Sequence, residues 1–195
     1  GFGEDAEIAV AVSQASMQFD AGQIEQARAT LTHLRELSPN HPIPNQLLAK
    51  VYYKQEDWKQ LVQLLTELQP KSEDAADKLK YQQYTQRAVI GLFEAASGKQ
   101  DIAALETIWQ KLPAPAKQAS YAVEAYAHAL INAGGGDLAA PILEDRLQHA
   151  AERGLYACYG LIQHQNPQAA LLNAQAWEAR EETDPSLLLC LARLE

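Results

Sequence analysis

At 195 residues and 47% hydrophobic, the chain can build one or two ordinary domains or one extended repeat array. A net charge of −9 disfavours general attraction to nucleic acid or to an anionic membrane surface. No apolar run reaches the roughly 18–20 residues that cross a bilayer, and no stretch reads as a signal peptide.

In chain order, Glu4 to Phe19 reads as a first helix with acidic residues at its positive end. Asp20-Ala21-Gly22 turns into a second helix, Gln23 to Leu37, stopped by Ser38-Pro39-Asn40-His41-Pro42. Ile43 to Pro70 then holds two short helices. Leu47, Leu48, Val51 and Tyr52 make one apolar face, and Trp58, Leu61, Leu64, Leu65 and Leu68 make the other. Asp57 is placed to cap the second helix of this pair, and Pro70 closes it.

The same stripe stands earlier in the chain. Ile24 takes the place of Trp58, Ala27 of Leu61, Leu31 of Leu65, Leu34 of Leu68 and Gly22 of Glu56, always at one fixed interval. Further on, Lys71-Ser72-Glu73-Asp74 feeds a longer helix to about Ala96, carrying Leu79, Tyr84, Ala88, Leu92 and Ala95. After the turn at Ser97 to Gln100 and a cap at Asp101, Ile102, Leu105, Trp109 and Leu112 match Trp58, Leu61, Leu65 and Leu68 at a longer interval. The repeat thus persists, with extra turns inserted in the preceding helix.

Pro113 and Pro115 precede a helix expected from Ala116 to Ala133. Gly134-Gly135-Gly136 is a turn, and Asp137 is the expected cap of a helix to about Glu152, ended by Gly154. Leu155 to Gln163 reads as a short apolar helix. Asn166-Pro167 opens a helix to about Glu181, and Asp184-Pro185 opens a last one, Ser186 to Leu194. That helix bears Leu187, Leu188, Leu189, Leu191 and Leu194 with no partner helix after it, so it either docks back or drives self-association. Sustained two-residue alternation is absent, which predicts no sheet.

The fixed interval is about 34 residues, the length of a tetratricopeptide repeat. An aromatic in the first helix, a small residue early in the second and a following proline (Ala27 and Pro39 in the first copy) add to that resemblance. The implied fold is all-α, a right-handed superhelix of antiparallel helix pairs with ten to eleven helices, forming one array over residues 1–195. Arg28 to Pro42, Leu48-Ala49-Lys50-Val51-Tyr52, Ala88 to Leu92 and the run from Asn166-Pro167 to Asp184-Pro185-Ser186-Leu187-Leu188 are similar to the repeat domain of the HemY family. That resemblance implies a proteobacterial inner-membrane protein in which two transmembrane helices precede a cytoplasm-facing domain. It also implies an association with a late step of protohaem biosynthesis. Gly1-Phe2-Gly3 and Leu194-Glu195 then read as scars of excision from a longer membrane protein, the excised piece itself being soluble and touching the membrane only through segments outside this chain.

Candidate chemistry is sparse. Gly134 to Gly136 lies between helices and lacks the GxGxxG spacing of a dinucleotide site. A porphyrin ligand would come from His33, His41, His128, His149, His164 or Cys158, and no two of the histidines are three or four residues apart. Cys158 and Cys190 have no CxxC partner and read as small buried hydrophobes. Glu56-Asp57, Glu144-Asp145 and Glu181-Glu182 read as solvated caps and faces rather than as a catalytic pair. Basic residues beside aromatics, Lys50 to Trp58, suggest nucleic acid, but Tyr52 and Trp58 serve repeat packing and the net charge opposes a phosphate partner.

What survives is a groove lined by the first helices of successive repeats. Its expected residues are Gln46, Lys50, Tyr53, Lys54, Tyr84, Arg87, Tyr121, Glu124 and His128. The expected function is a non-catalytic protein-interaction scaffold assisting late haem biosynthesis, with no catalytic residue, cofactor or metal and no nucleic-acid partner. The alternative is a porphyrin or haem carrier acting through those His, Cys or groove residues.

Overall fold

A computed structural model of the chain describes residues 2–98, 100–180 and 184–195. Gly1 and the Glu181-Glu182 pair, both singled out in the sequence, lie outside the described residues. Twelve α-helices occur among those described: α1 Phe2–Asp20, α2 Ile24–Leu37, α3 Pro42–Lys54, α4 Trp58–Leu68, α5 Ala75–Ser97, α6 Ile102–Lys111, α7 Ala114–Lys117, α8 Ser120–Asn132, α9 Gly136–His149, α10 Arg153–Tyr159, α11 Pro167–Glu178 and α12 Pro185–Leu194. No strand occurs among the described residues. The all-α class therefore holds. The extra helix beyond the expected eleven is α7, a single turn that Pro113 and Pro115 build in place of the first turn of the helix predicted from Ala116.

The expected caps form where short acceptor side chains precede helices. Asp57 accepts from the Gln60 N–H, Asp101 from Ala104, Asn166 from Ala169 and Asp184 from Ser186. Asp137 is an exception. Helix α9 already starts at Gly136, so Asp137 lies inside it and accepts instead from the Gln165 amide at 2.6 Å. Gly154 does not end α9, which stops at His149; it sits in the first turn of α10.

One backbone device recurs. Gly22, Glu56, Gln100 and Gly134 all have positive φ (75°, 54°, 49° and 81°), and each precedes the N-cap of a helix. At three of these turns the next N–H reaches back five residues, Gln23 to Gln18, Asp57 to Tyr52 and Gly135 to Leu130. This pattern closes a helix on a left-handed residue and satisfies its last carbonyls. The step from Gly22 to Glu56 equals the step from Gln100 to Gly134, so the interval of the first half returns after the long helix α5.

The chain divides into two compact units, residues 1–88 and 89–195, with the boundary inside α5. In the first, α1 packs on α2, α2 on α3, α3 on α4, and α1 also on α3. Ala15, Ala27, Leu31, Leu48, Val51, Leu61 and Leu65 fill that core. Arg28 pairs with Asp57 at 3.1 Å and Arg35 with Glu67 at 2.6 Å, tying α2 to α4 and its cap. Leu79, expected in the α5 stripe, is exposed because it points away from the face that buries Tyr81 and Ala88.

In the second unit α8 packs on α9, α10 on both, and α12 on α10 and α11. Its core runs through Phe93, Leu105, Leu130, Leu143, Tyr156, Tyr159, Ala174 and Leu187. Helix α12 docks: Leu187, Cys190 and Leu191 are buried against α10 and α11, while Leu188 and Leu189 stay about half exposed.

Candidate partner-binding surface

The surface begins with helix periodicity. Gln46, Lys50, Tyr53 and Lys54 recur at helical spacing along α3, and Asp77, Lys80, Tyr84 and Arg87 do so along α5. The Gln46 amide donates to Asp77 at 3.0 Å, and the Tyr53 ring stacks on Tyr84 with centroids 4.5 Å apart and planes 23° apart. Both pairs have the same separation in sequence, so α3 and α5 run parallel and in register along this seam.

The ladder continues past the stacked tyrosines. Tyr53 meets Trp58 edge-on at 5.8 Å, and the Arg87 guanidinium lies 5.0 Å from the centre of the Trp58 ring. At the other side the Lys80 ammonium is 5.6 Å from the Tyr84 ring. Tyr53 is 38% exposed; Lys54 is exposed, and Lys50, Tyr84 and Arg87 are half-buried. Burial raises the Tyr84 phenol above its ordinary value, and neighbouring Tyr53 adds to the shift. Six of the nine expected groove residues thus share one seam. Trp58 itself is buried, as expected of a packing residue.

Tyr121, Glu124 and His128 lie on α8 in the second unit, all half-buried. Glu124 is half-buried and lies toward α10. Its carboxylate fills the space that a side chain at Gly154 would need, so it belongs to the packing of α8 against α10.

The sulfur chemistry is closed. Cys158 and Cys190 are free and fully buried, and burial pushes their thiols up to about 12 and about 11. Cys158, one of the candidate porphyrin ligands, is therefore held as a neutral thiol. Among the histidines, His149 bonds the Asp145 carbonyl at 2.7 Å, and His164 bonds the Tyr159 carbonyl at 3.1 Å with its ring against Tyr159. Groups of three His, Cys, Asp or Glu able to hold a metal ion do not occur among the described residues.

A polar constellation in the second unit was not foreseen from sequence. Tyr159 donates its hydroxyl to Glu144 at 2.6 Å, and the Asn173 amide donates to the same carboxylate at 3.1 Å. Glu144 is consequently half-buried and engaged, which corrects its reading as a solvated face residue. Only proximity of α9, α10 and α11 could have revealed it. Surface clefts include one of about 490 Å³ beside Gly134 and Ile162 and one of about 380 Å³ between Asn40, Gln46, Lys71 and Asp77. The second opens at the Gln46 end of the α3–α5 seam. No helix among the described residues is long and apolar enough to cross a membrane. No protein-family model matches the chain, and no curated protein matches it.

Proposed function

We propose that the chain is a non-catalytic interaction scaffold built as a tetratricopeptide-type array, presenting the parallel α3–α5 seam to a partner protein. The observation that carries this reading is the in-register ladder Lys80–Tyr84–Tyr53–Trp58–Arg87, which holds the part-exposed Tyr53 ring among cations on a helical frame. Preset rings cost little conformational entropy on binding, which is what a recognition surface requires. The left-handed turns supports the repeat class as well, since the Gly22–Glu56 interval recurs between Gln100 and Gly134.

The HemY resemblance extends the proposal: the partners are enzymes of late haem synthesis, and the domain works on the cytoplasmic side of the inner membrane. Crosslinking and mass spectrometry of the full-length, membrane-bound protein in its cell tests this. Crosslinks from α3 and α5 to another protein are expected, and their reduction by Lys50→Ala and Lys54→Ala with thermal melting unchanged, and by Tyr53→Ala with the helical fold retained. Capture undiminished by those changes removes the site, and no captured protein at all removes the scaffold. The carrier reading has its own signature, a saturable Soret shift with haemin that is lost in a His128 or His164 variant.

A further inference from the structure

We propose that the occupant of the α3–α5 seam is an acidic segment of a partner protein, with carboxylates over Lys50, Lys54 and Lys80 and a planar side chain against the Tyr53–Tyr84 stack. This rests on the scaffold reading above and specifies its partner. In a chain with 25 acidic and 16 basic residues, four cations gather on one face: Lys50 and Lys54 of α3, Lys80 and Arg87 of α5. Among the described residues Lys50 and Lys54 form no ion pair, so their ammonium groups have no internal carboxylate to give up. A local positive patch on an acidic protein selects its partner by charge, since a basic segment is drawn elsewhere on the surface.

The seam also has a direction. Asp74 and Asp77 stand at the start of α5, where Asp74 caps the helix and Asp77 takes the Gln46 amide. The cations lie further along both parallel helices. Carboxylates of the guest are therefore repelled from the Asp74–Asp77 end and collected over Lys50 and Lys54, which fixes the register of an extended or helical segment. The exposed edge of Tyr53, at 38%, lies within this cationic half and supplies the apolar contact that a purely electrostatic clamp lacks.

Fluorescence anisotropy on the full chain tests the assignment with a labelled glutamate-rich peptide bearing one phenylalanine. A lysine-rich counterpart and a single-stranded oligonucleotide serve as comparisons. The glutamate peptide is expected to bind saturably and more weakly as salt rises. The Lys50→Glu/Lys54→Glu/Lys80→Glu variant should lose about tenfold or more in affinity, a difference of ~1.4 kcal/mol. A milder Lys50→Gln/Lys54→Gln variant should lose less, with the melting curve unchanged in both. Tyr53→Ala should weaken the phenylalanine peptide but not one with alanine in its place. The proposal is overturned if the glutamate peptide does not bind, if the variants bind it equally well, or if the lysine peptide or the oligonucleotide binds better. None of those outcomes touches the scaffold reading, which falls only if cellular crosslinking captures no protein.

Discussion

Two ring stacks of nearly the same geometry serve opposite ends in the two units. Tyr53 and Tyr84 stack at 4.5 Å on the surface of the first, where Tyr53 keeps 38% of its area in water. Trp109 and Tyr126 stack at 4.6 Å and 7° in the second, but Tyr126 is only 4% exposed and leans on Phe93 as well. The same aromatic pairing is thus a display in one place and mortar in the other. Stack geometry alone does not distinguish them; water access does. The second unit carries this inward habit further, closing Tyr159, Cys158 and Cys190 into its core and engaging Glu144 there. The open stack lies on the partner surface proposed above for the first unit, and the closed stack lies in the core of the second.

The contrast breaks first at high pH. In the second unit both thiols, and Tyr159 beside Glu144, titrate above their ordinary values, in each case mainly because burial disfavours the charged form. For the thiols the sign follows from linkage: the folded state holds its protons longer than the unfolded one. Their contribution is complete below the unfolded thiol value of about 8.5 and fades as pH rises through about 11 and about 12. Circular dichroism and thiolate absorbance should show alkaline unfolding and thiol ionisation together in that window. Thiolate appearing near the unfolded value with the helices intact would mean the second unit is far looser than its packing implies. The next largest effect belongs to the first unit. Trp58 is buried while holding Tyr53 on its edge and Arg87 on its face, so Trp58→Ala should cost about 3–5 kcal/mol by chemical denaturation. A cost below about 1 kcal/mol would show that the ring carries display and no packing.

A sharper probe separates rigid from yielding contacts inside the second unit. A Cβ at Gly160 would stand 2.9 Å from the Cys190 Cα, a backbone atom of α12 that cannot step aside. A Cβ at Gly154 meets only the carboxylate end of Glu124, which can swing away. Gly160→Ala should therefore cost about 1–3 kcal/mol, and Gly154→Ala clearly less. Equal costs in urea titrations would put the α8–α10 seam on the same footing as α10–α12.

The sequence carried what is local. Caps at Asp57, Asp101, Asn166 and Asp184 need only one short side chain and the next few N–H groups, and all four formed. The apolar stripes of α2 and α4 were equally readable, because Ala27, Leu31 and Leu34 match Leu61, Leu65 and Leu68 at one constant interval. Prolines were less transparent: Pro115 reads as a breaker yet sits inside the single turn of α7. Gln46, Lys50, Tyr53, Lys54, Tyr84 and Arg87 stand out one by one, but Asp77 and Lys80 do not, and the union was not legible, since it depends on Gln46 meeting Asp77 and Tyr53 meeting Tyr84 across two helices. The engagement of Glu144 and the packing of Glu124 toward Gly154 were hidden for the same reason. Each is a carboxylate on a helix face, and only the neighbouring helix decides whether that face is wet.

The smallest effect concerns the turns that recur through both units. Gly22 and Gly134 adopt positive φ without a Cβ, whereas Glu56 and Gln100 hold φ of 54° and 49° against the steric preference of an L side chain. Nothing lies within 4 Å of a Cβ built at Gly22 or Gly134, so backbone conformation is what a side chain there would strain. Glu56→Gly should then raise stability by a few tenths to about 1 kcal/mol, and Gly22→Ala should lower it by about 1–2 kcal/mol. Gln100→Gly and Gly134→Ala should repeat that pair of signs in the second unit. Thermal melts of the four variants provide the check. Opposite signs within each pair and like signs across units would mark one backbone device used four times. A loss of stability in Glu56→Gly would instead show that the Glu56 side chain contributes more than its strain costs.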